Sequence, residues 1–191
     1  VRDCAILVGK AREIGSDIKI IGESIAEKVG GIVTPVNYKS FSSIYRKLIT
    51  ENIEVTDIKD AVRSTIIVDK NKIDDVIFNL KHLDTFIRHK VQKAEIFNGY
   101  SGNIINLSMP NNIVAEVQVN TARMIYAKET EVNAKRIRGE ELWNKIRMET
   151  KMQGGLGHKY YEEIRLLNKV TDLPRIERLK RLSEEYYSHF R

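Results

Sequence analysis

The sequence contains a single cysteine, Cys4, among 191 residues. One cysteine cannot form an internal disulfide, and it cannot build a zinc site made of several cysteines. A small secreted scaffold held together by disulfides is therefore excluded, and a reducing compartment, the cytoplasm, is the expected location.

Long apolar runs are also missing. No stretch approaches the ~18 consecutive apolar residues that a membrane-spanning helix requires. Charged residues interrupt every apolar run near the N-terminus, so neither a signal peptide nor a membrane partner is expected. Because the first residue is Val rather than Met, we expect a processed or excised piece of a longer protein.

Proline and glycine are scarce, with three prolines and 11 glycines, and no linker rich in either divides the sequence. A hydrophobic share of 42% with 30% charged residues is typical of a folded protein. At roughly 100–200 residues per domain, the length fits one domain with a helical extension. The predicted divisions are an N-terminal helical segment over 1–30, a central domain over 31–170 and a C-terminal helix over 171–191.

The charge balance is basic, with 32 Lys and Arg against 26 Asp and Glu, a formal net charge of +6. Such a balance suits a surface adapted to solubility, and it equally suits a polyanionic partner such as nucleotide phosphates or nucleic acid. The positions of the charges must decide between the two.

Apolar spacing predicts a mixed sheet between two helical regions. Helices are expected over 2–29 in two pieces, 40–51, 73–83, 122–152, 157–170 and 174–190, and strands over 32–36, 64–68, 86–91, 103–109 and 113–119. Pro110–Asn112 is turn chemistry that predicts a hairpin between the last two strands. The expected fold class is therefore α+β, a mixed α/β arrangement in which helices flank a five-stranded mixed sheet.

Acidic residues occur on the last strand and just before the second strand. Glu116 and Gln118 alternate with apolar residues, so both point to one face of the sheet. That face is either open to water or carries a carboxylate for a metal or for base catalysis. Asp60 precedes a β-rich run and is either a cap or surface charge, or a partner of Glu116 in holding Mg²⁺.

A cationic stripe precedes these residues in the sequence. Lys39, Ser43 and Lys47 are spaced by four, so they share one helix face if the helix begins early enough. Such a face suits a triphosphate, and a solvated face of an amphipathic helix is the alternative.

Two further candidates lie next to glycines. Tyr100 stands between Gly99 and Gly102, where an exposed aromatic ring could stack on a base or simply pack into a turn. His158 begins a helix after three glycines and is either a binding residue or an ordinary hydrogen-bonded histidine.

Five short motifs follow one another along the chain: Lys39-x-x-x-Ser43-Ile44-x-x-Lys47, Asp60-x-x-x-x-Thr65, Gly99-Tyr100, Glu116-x-Gln118-x-x-Thr121 and His158-x-x-Tyr161. In this order they resemble the synthetase domain of the RelA/SpoT family, which makes alarmone nucleotides by moving pyrophosphate from ATP to the 3′-hydroxyl of GDP or GTP. The resemblance covers residues 32–168, and the Glu-x-Gln-x-x-Thr strand ending is its most specific part. The segment from His158 onward looks most like the small stand-alone or toxin-type members associated with phage and mobile elements.

The resemblance implies a nucleotidyltransferase-like synthetase fold, a GTP diphosphokinase-like activity and ATP with Mg²⁺ as donor and cofactor. Asp60 and Glu116 would be the catalytic, Mg²⁺-holding carboxylates, and Glu116 would also take the proton of the acceptor hydroxyl. Lys39, Ser43 and Lys47 would bind the phosphates of ATP.

The resemblance also implies an acceptor pocket. Tyr100 would stack on the base of a purine nucleotide, either a guanine or an adenine nucleotide. Gln118 and His158 would line the same pocket.

Several positions depart from the family pattern. Asn37 replaces an arginine, Arg63 replaces a glycine, and Thr65 and Ser101 replace two further basic residues. Arg63 would supply one of the missing ATP-binding cations from a neighbouring position. The loss of charge at Ser101 predicts looser discrimination among purines.

Two alternative functions remain open beside alarmone synthesis. A toxin-type relative could pyrophosphorylate the 3′ end of an RNA such as tRNA, which clustering of the basic C-terminal residues with the pocket would favour. These residues are Arg175, Arg178, Lys180 and Arg181. A catalytically degenerate nucleotide-binding module would explain the missing arginines.

Overall fold

The computed structural model describes residues 2–191, apart from the side chain of residue 138. The described residues form two compact units. The first contains the chain up to Lys90 together with Asn103–Asn120, and the second contains Val91–Gly102 together with Thr121–Arg191. The predicted boundaries at residues 30 and 170 separate a central domain from two helical extensions, and they stay a prediction.

The first unit is built on a sheet with helices packed against it. Its helices are α1 (Arg2–Glu13), α2 (Gly15–Val29), α3 (Phe41–Glu51) and α4 (Ile73–Lys81). The strands are β1 (Ile32–Val33), β2 (Asn37–Tyr38), β3 (Val62–Ile67), β4 (Phe86–Gln92), β5 (Gly102–Met109) and β6 (Ile113–Asn120). Short 3₁₀ turns cover Val55–Asp57, Lys70–Lys72 and Pro110–Asn112.

The strand order is β1-β3-β6-β5-β4, and β2 also pairs with β3. Strands β3 and β6 are parallel, whereas β1 and β2 run antiparallel to β3 and β5 runs antiparallel to β6. The mixed α/β fold class is thus confirmed.

The described sheet has six strands rather than five because the strand predicted over 32–36 is interrupted. Pro35 has no N–H to donate to a ladder, and the residue before it bonds to β3 partly through its side chain. The hydroxyl of Thr34 accepts the N–H of Thr65 at 2.9 Å, while the Thr34 N–H donates to the Thr65 carbonyl at 2.9 Å. The predicted strand is therefore shortened to Ile32–Val33, and a second short piece, Asn37–Tyr38, pairs with β3 just beyond the predicted range.

The hairpin between β5 and β6 is confirmed. Asn111 and Asn112 have φ of 64° and 58°, a left-handed conformation that asparagine tolerates better than most residues. This turn pairs Met109 with Ile113 and fixes the register back to Asn103 and Val119.

One face of the sheet lies in the hydrophobic core of the first unit. The alternating residues of β6, Ile113, Ala115, Val117 and Val119, are all buried. They belong to one cluster with apolar side chains of α1, α2 and α4, among them Leu7, Ile18 and Leu80. The opposite face is consequently left to the polar residues of the same strands.

The second unit is helical. It contains α5 (Ala122–Lys128), α6 (Glu131–Arg138), α7 (Glu140–Thr150), α8 (Leu156–Leu166) and α9 (Leu173–Ser188). The helical segment predicted over 122–152 is divided into three helices. Thr130 starts α6 by accepting the N–H of Asn133 on its side-chain oxygen at 3.4 Å, and Gly139, with φ of 81°, separates α6 from α7.

The second unit has its own aromatic core, made of Tyr100, Tyr126, Trp143, Tyr186, Tyr187 and Phe190 with smaller apolar neighbours. In the part of the chain that the structure describes, no helix is long and apolar enough to cross a membrane.

Candidate active site

The N-terminus of α3 carries the predicted phosphate-binding residues. Ser40 caps the helix, because its Oγ accepts the N–H of Ser43 at 3.2 Å. Lys39 therefore lies outside the helix, so the condition for one helical face shared by Lys39, Ser43 and Lys47, an early helix start, is not met. Strand pairing places Lys39 instead, since its N–H donates to the carbonyl of Ala61 at 2.9 Å.

Two lysines meet on one carboxylate. The Nζ of Lys39 donates to Oδ2 of Asp60, and the Nζ of Lys47 donates to Oδ1 of Asp60 at 3.2 Å. The Asp60 side chain is only 16% exposed. Burial raises the pKa of this carboxyl, but the hydrogen bond and charge of Lys39, with those of Lys47, lower it further, so the pKa lies below its usual 3.8. Asp60 is therefore ionised at neutral pH.

A row of polar residues crosses the sheet on the face turned away from the core. The strand register pairs Asn37 of β2 with Arg63 of β3, Arg63 with Glu116 of β6, and Glu116 with Asn106 of β5. We call these four residues the cross-strand row. Paired residues of neighbouring strands lie about 5 Å apart, so the row places Arg63 next to Glu116.

The register also bears on the missing arginine. Asn37 stands where the family has an arginine, and its direct neighbour across the strands is Arg63. The guanidinium of Arg63 on β3 is therefore next to Asn37 on β2, the position that lacks the family's positive charge. This pairing is consistent with Arg63 supplying the substitute cation.

Gln118 follows Glu116 on the same face. Its Nε2 donates to Oε1 of Glu116 at 2.6 Å. One oxygen of the carboxylate is therefore oriented by the neighbouring amide. Thr65, another position that has lost a basic residue, is the strand partner of Gln118.

Asn106 and Arg88 belong to the same face and were not predicted. The Asn106 side chain is fully buried, and its Oδ1 accepts a 2.6 Å hydrogen bond from Nε of Arg88 on β4. A signal for Asn106 was present in the sequence, because counting back from the Pro110–Asn112 turn pairs residue 106 with Glu116. No comparable signal pointed to Arg88, whose position depends on how β4 joins the sheet.

Within the described residues, no group of three or more His, Cys, Asp or Glu side chains could hold a metal ion. Two carboxylates are nevertheless enough for Mg²⁺, which commonly uses one or two carboxylates and completes its shell with water and substrate phosphates. The segment that carries Asp60 reaches the face of Glu116, because Nδ2 of Asn106 donates to the carbonyl of Lys59 at 3.3 Å. The donor set of Asp60 and Glu116 therefore fits a magnesium ion bound together with a nucleotide.

The two remaining predicted residues lie in the second unit. Tyr100 is 8% exposed; its ring meets that of Tyr187 edge to face at 5.6 Å, and the ammonium of Lys128 lies 4.9 Å from its centre. His158 is exposed on the first turn of α8. The roles of Tyr100 and His158 in acceptor binding stay predictions.

The basic residues of the C-terminal helix are partly neutralised. Arg175 pairs with Glu163 at 2.6 Å, and Lys180 pairs with Glu177 at 2.8 Å. Two of the four cations considered for RNA binding thus have acidic partners within the second unit.

The mixed sheet flanked by helices has the fold of the small alarmone synthetases. The small alarmone synthetase 1 of Bacillus subtilis, bound to its product pppGpp, has a TM-score of 0.58 at 17% identity, covering 94% of this chain and 89% of that one. At this identity the likeness shows the fold alone.

Nearer similarity is found to a toxin. The chain is 32% identical over 184 residues to the (p)ppApp synthetase toxin Tas1 of Pseudomonas aeruginosa strain UCBPP-PA14, covering 96% of this chain and 41% of that protein. A crystal structure of the type VI effector Tas1 with its immunity protein gives a TM-score of 0.87 at 30% identity, covering 99% of this chain and 96% of that one. No protein-family model matches the sequence.

The chain therefore belongs to the RelA/SpoT-like family of alarmone synthetases. It spans about two fifths of the length of the curated relative that it matches.

Proposed function

We propose that the chain transfers pyrophosphate from ATP to the 3′-hydroxyl of a purine nucleotide, with adenine nucleotides as the preferred acceptors. The observation that carries the proposal is the contact of Lys39 and Lys47 with Asp60. It gathers two cations and an ionised carboxylate from three separate segments of one compact unit.

The cations are suited to the donor. Lysine ammonium groups bind phosphate oxygens as compact charges, and arginine adds paired donors. Lys39 and Lys47, with the Ser43 hydroxyl and Arg63, would bind the triphosphate of ATP. When the triphosphate arrives, its oxygens compete with Asp60 for the lysines and leave the carboxylate free to face a metal.

The carboxylates are suited to the transfer itself. Asp60 and Glu116 would hold Mg²⁺, which when bound neutralises charge on the phosphates that move. Glu116 would accept the proton of the acceptor 3′-hydroxyl, and Gln118 orients it by donating to Oε1. No covalent intermediate with the protein is needed.

Two observations bear on the identity of the acceptor. Tas1 is named a (p)ppApp synthetase, and Ser101 stands where the family has a basic residue after Gly-Tyr. The name of Tas1 favours an adenine nucleotide, and the loss of charge at Ser101 favours looser discrimination among purines, so that adenine nucleotides can compete with GDP or GTP. Tyr100, Gln118 and His158 are the residues proposed to contact this acceptor.

The deciding experiment follows the label of [γ-³²P]ATP. The protein is incubated with Mg²⁺ and one of ADP, ATP, GDP, GTP or tRNA, and the products are separated by thin-layer chromatography. We expect AMP release and a labelled product with ADP and ATP, at a higher rate than with the guanine nucleotides.

Other outcomes would identify the alternatives. Labelled tRNA without labelled nucleotides would mean that RNA is the acceptor. ATP binding by calorimetry without AMP release for any acceptor would mean a nucleotide-binding module without catalysis.

A further inference from the structure

Asn106 occupies an unusual position for an amide. It lies in the apolar run Ile104-Ile105-Asn106-Leu107 and has no exposed surface. A buried amide must satisfy two N–H donors and a carbonyl acceptor, and each one left unpaired is costly. The hydrogen bonds that satisfy Asn106 therefore show what this amide does in the fold.

The two donors of Asn106 are used on main-chain carbonyls. Nδ2 donates to the carbonyl of Lys59 at 3.3 Å and to the carbonyl of Ala115 at 3.4 Å. Lys59 directly precedes Asp60, and Ala115 directly precedes Glu116. One amide group thus bridges the two segments that carry the candidate metal-holding carboxylates.

The orientation of the amide is fixed by its third contact. Nε of Arg88 can only donate, so the Asn106 atom that faces it must be the acceptor Oδ1. The other end of the amide meets only carbonyl oxygens, which can only accept. A flip of the amide would place donor against donor and acceptor against acceptor, so only one orientation satisfies all three contacts.

We propose that Asn106 is a positioning residue that fixes the spacing between Asp60 and Glu116, and that Arg88 locks it in the orientation this requires. The inference rests on the proposed function, in which these two carboxylates share Mg²⁺. Loops hold side chains less firmly than strands do, and Asp60 lies in the irregular segment before β3. The bond to Lys59 ties that segment to the sheet.

The test compares Asn106→Leu, which keeps the side-chain size and removes all three bonds, with Asn103→Leu. Asn103 is the matched control because it is also an asparagine on β5 and hydrogen-bonds to His89 at 2.9 Å. It lies three residues away on the opposite face, where strand alternation keeps it off the cross-strand row.

Two readouts are measured on the full chain. In the transfer assay we expect Asn106→Leu to lower kcat by about 10–100-fold and to raise the half-saturating Mg²⁺ concentration, the usual effect of losing a residue that orients metal ligands. The KM for ATP should change little, since Lys39 and Lys47 keep their places. Asn103→Leu should leave these values unchanged per folded molecule.

The second readout does not need activity. Mn²⁺ is titrated by electron paramagnetic resonance in the presence of an α,β-methylene analogue of ATP. We expect Mn²⁺ affinity to fall about 10–100-fold in Asn106→Leu and to stay unchanged in Asn103→Leu. Equal Mn²⁺ affinity in folded wild type and Asn106→Leu would overturn the inference.

The two readouts separate the possible failures. If the wild type transfers no pyrophosphate, the proposed function fails, while the Mn²⁺ titration still decides the role of Asn106. If Asn106→Leu does not fold, Arg88→Gln replaces it as the test variant. Arg88 is exposed, and its loss removes only the hydrogen bond that fixes the orientation of the Asn106 amide. Arg88→Gln should then raise half-saturating Mg²⁺ severalfold, and an unchanged value would overturn the inference.

Discussion

Lys47 donates a hydrogen bond of 3.2 Å from its Nζ to Oδ1 of Asp60, and 13 residues of chain separate the two. Lys39 occupies the other carboxylate oxygen. The carboxylate thereby contacts two ammonium groups, one from the residue before the helix cap and one from α3 itself. We propose that phosphate oxygens of ATP compete with the carboxylate for these two groups.

The first prediction concerns these two lysines. Lys39→Ala and Lys47→Ala should each weaken ATP binding by about 10–100-fold, because a charged hydrogen bond contributes about 1.5–3 kcal/mol. Isothermal titration with ATP and Mg²⁺ measures the effect. Lys72→Ala and Lys81→Ala, which change lysines near α4, should bind ATP as the wild type does, and equal losses in all four variants would mean that only overall positive charge matters.

The second prediction concerns the pH dependence of stability. The folded-state pKa of Asp60 lies below its ordinary value of 3.8, so its stabilising contribution is fully present above that value and is lost as pH falls through the lowered pKa. Asp60→Asn should reduce the free energy of unfolding by about 1.5–3 kcal/mol at pH 7. The difference from the wild type should shrink as the pH drops below 3.8.

Urea unfolding at pH 7 and at acidic pH measures this difference. Asp75→Asn is the control, because Asp75 also pairs with a lysine at 3.2 Å but is exposed, where such a pair contributes less than about 1 kcal/mol. A difference between Asp60→Asn and the wild type that does not change with pH would show that the lysine contacts do not stabilise the ionised carboxylate.

The third prediction concerns Glu116. Glu116→Gln should reduce pyrophosphate transfer by at least ~10²–10⁴-fold, since it removes the proposed base and one metal ligand. The protein should stay folded, because glutamine has the size of glutamate and keeps an oxygen that can accept from Gln118. Glu27→Gln, an exposed glutamate of α2, should have wild-type activity, and transfer that survives in Glu116→Gln would reject the assigned role.

The fourth prediction concerns Tyr100. The ring packs against Tyr187, so Tyr100→Ala should destabilise the protein by about 3–5 kcal/mol. Tyr100→Phe keeps the ring and should retain most of the activity and of the acceptor affinity, because stacking needs only the aromatic face. Melting curves and acceptor KM values for both variants test this, and a large loss of activity in a folded Tyr100→Phe would show that the hydroxyl is what matters.

The sequence was most informative along β5 and β6. Alternation in 113–119 placed Glu116 and Gln118 on one face, and the turn at Pro110–Asn112 predicted the hairpin that pairs them with β5. Both patterns depend on short-range geometry, namely the two-residue period of a strand and the conformational tolerance of asparagine. Local rules of this kind can be applied without knowledge of the rest of the chain.

Helix ends were less predictable. Thr130 and Gly139 divide the segment over 122–152 into three helices, where one continuous helical segment was predicted. Ending a helix at a cap and continuing it differ by only a small free energy. The packing of each helix in the second unit therefore decides which of the two occurs.

The sequence by itself determined which residue types were available and which of them share a strand face, because both follow from the order of residues along the chain. Only the tertiary structure decided that Lys39 and Lys47 meet on Asp60, that Arg63 stands beside both Asn37 and Glu116, and that Asn106 bridges two segments. Those contacts join residues that are distant in sequence, and each depends on a strand pairing that local rules do not give. The pairing of β2 with β3 brings Lys39 and Asn37 to the segment of Asp60 and Arg63, the pairing of β3 with β6 brings Arg63 to Glu116, and the pairing of β5 with β6 brings Asn106 to Glu116.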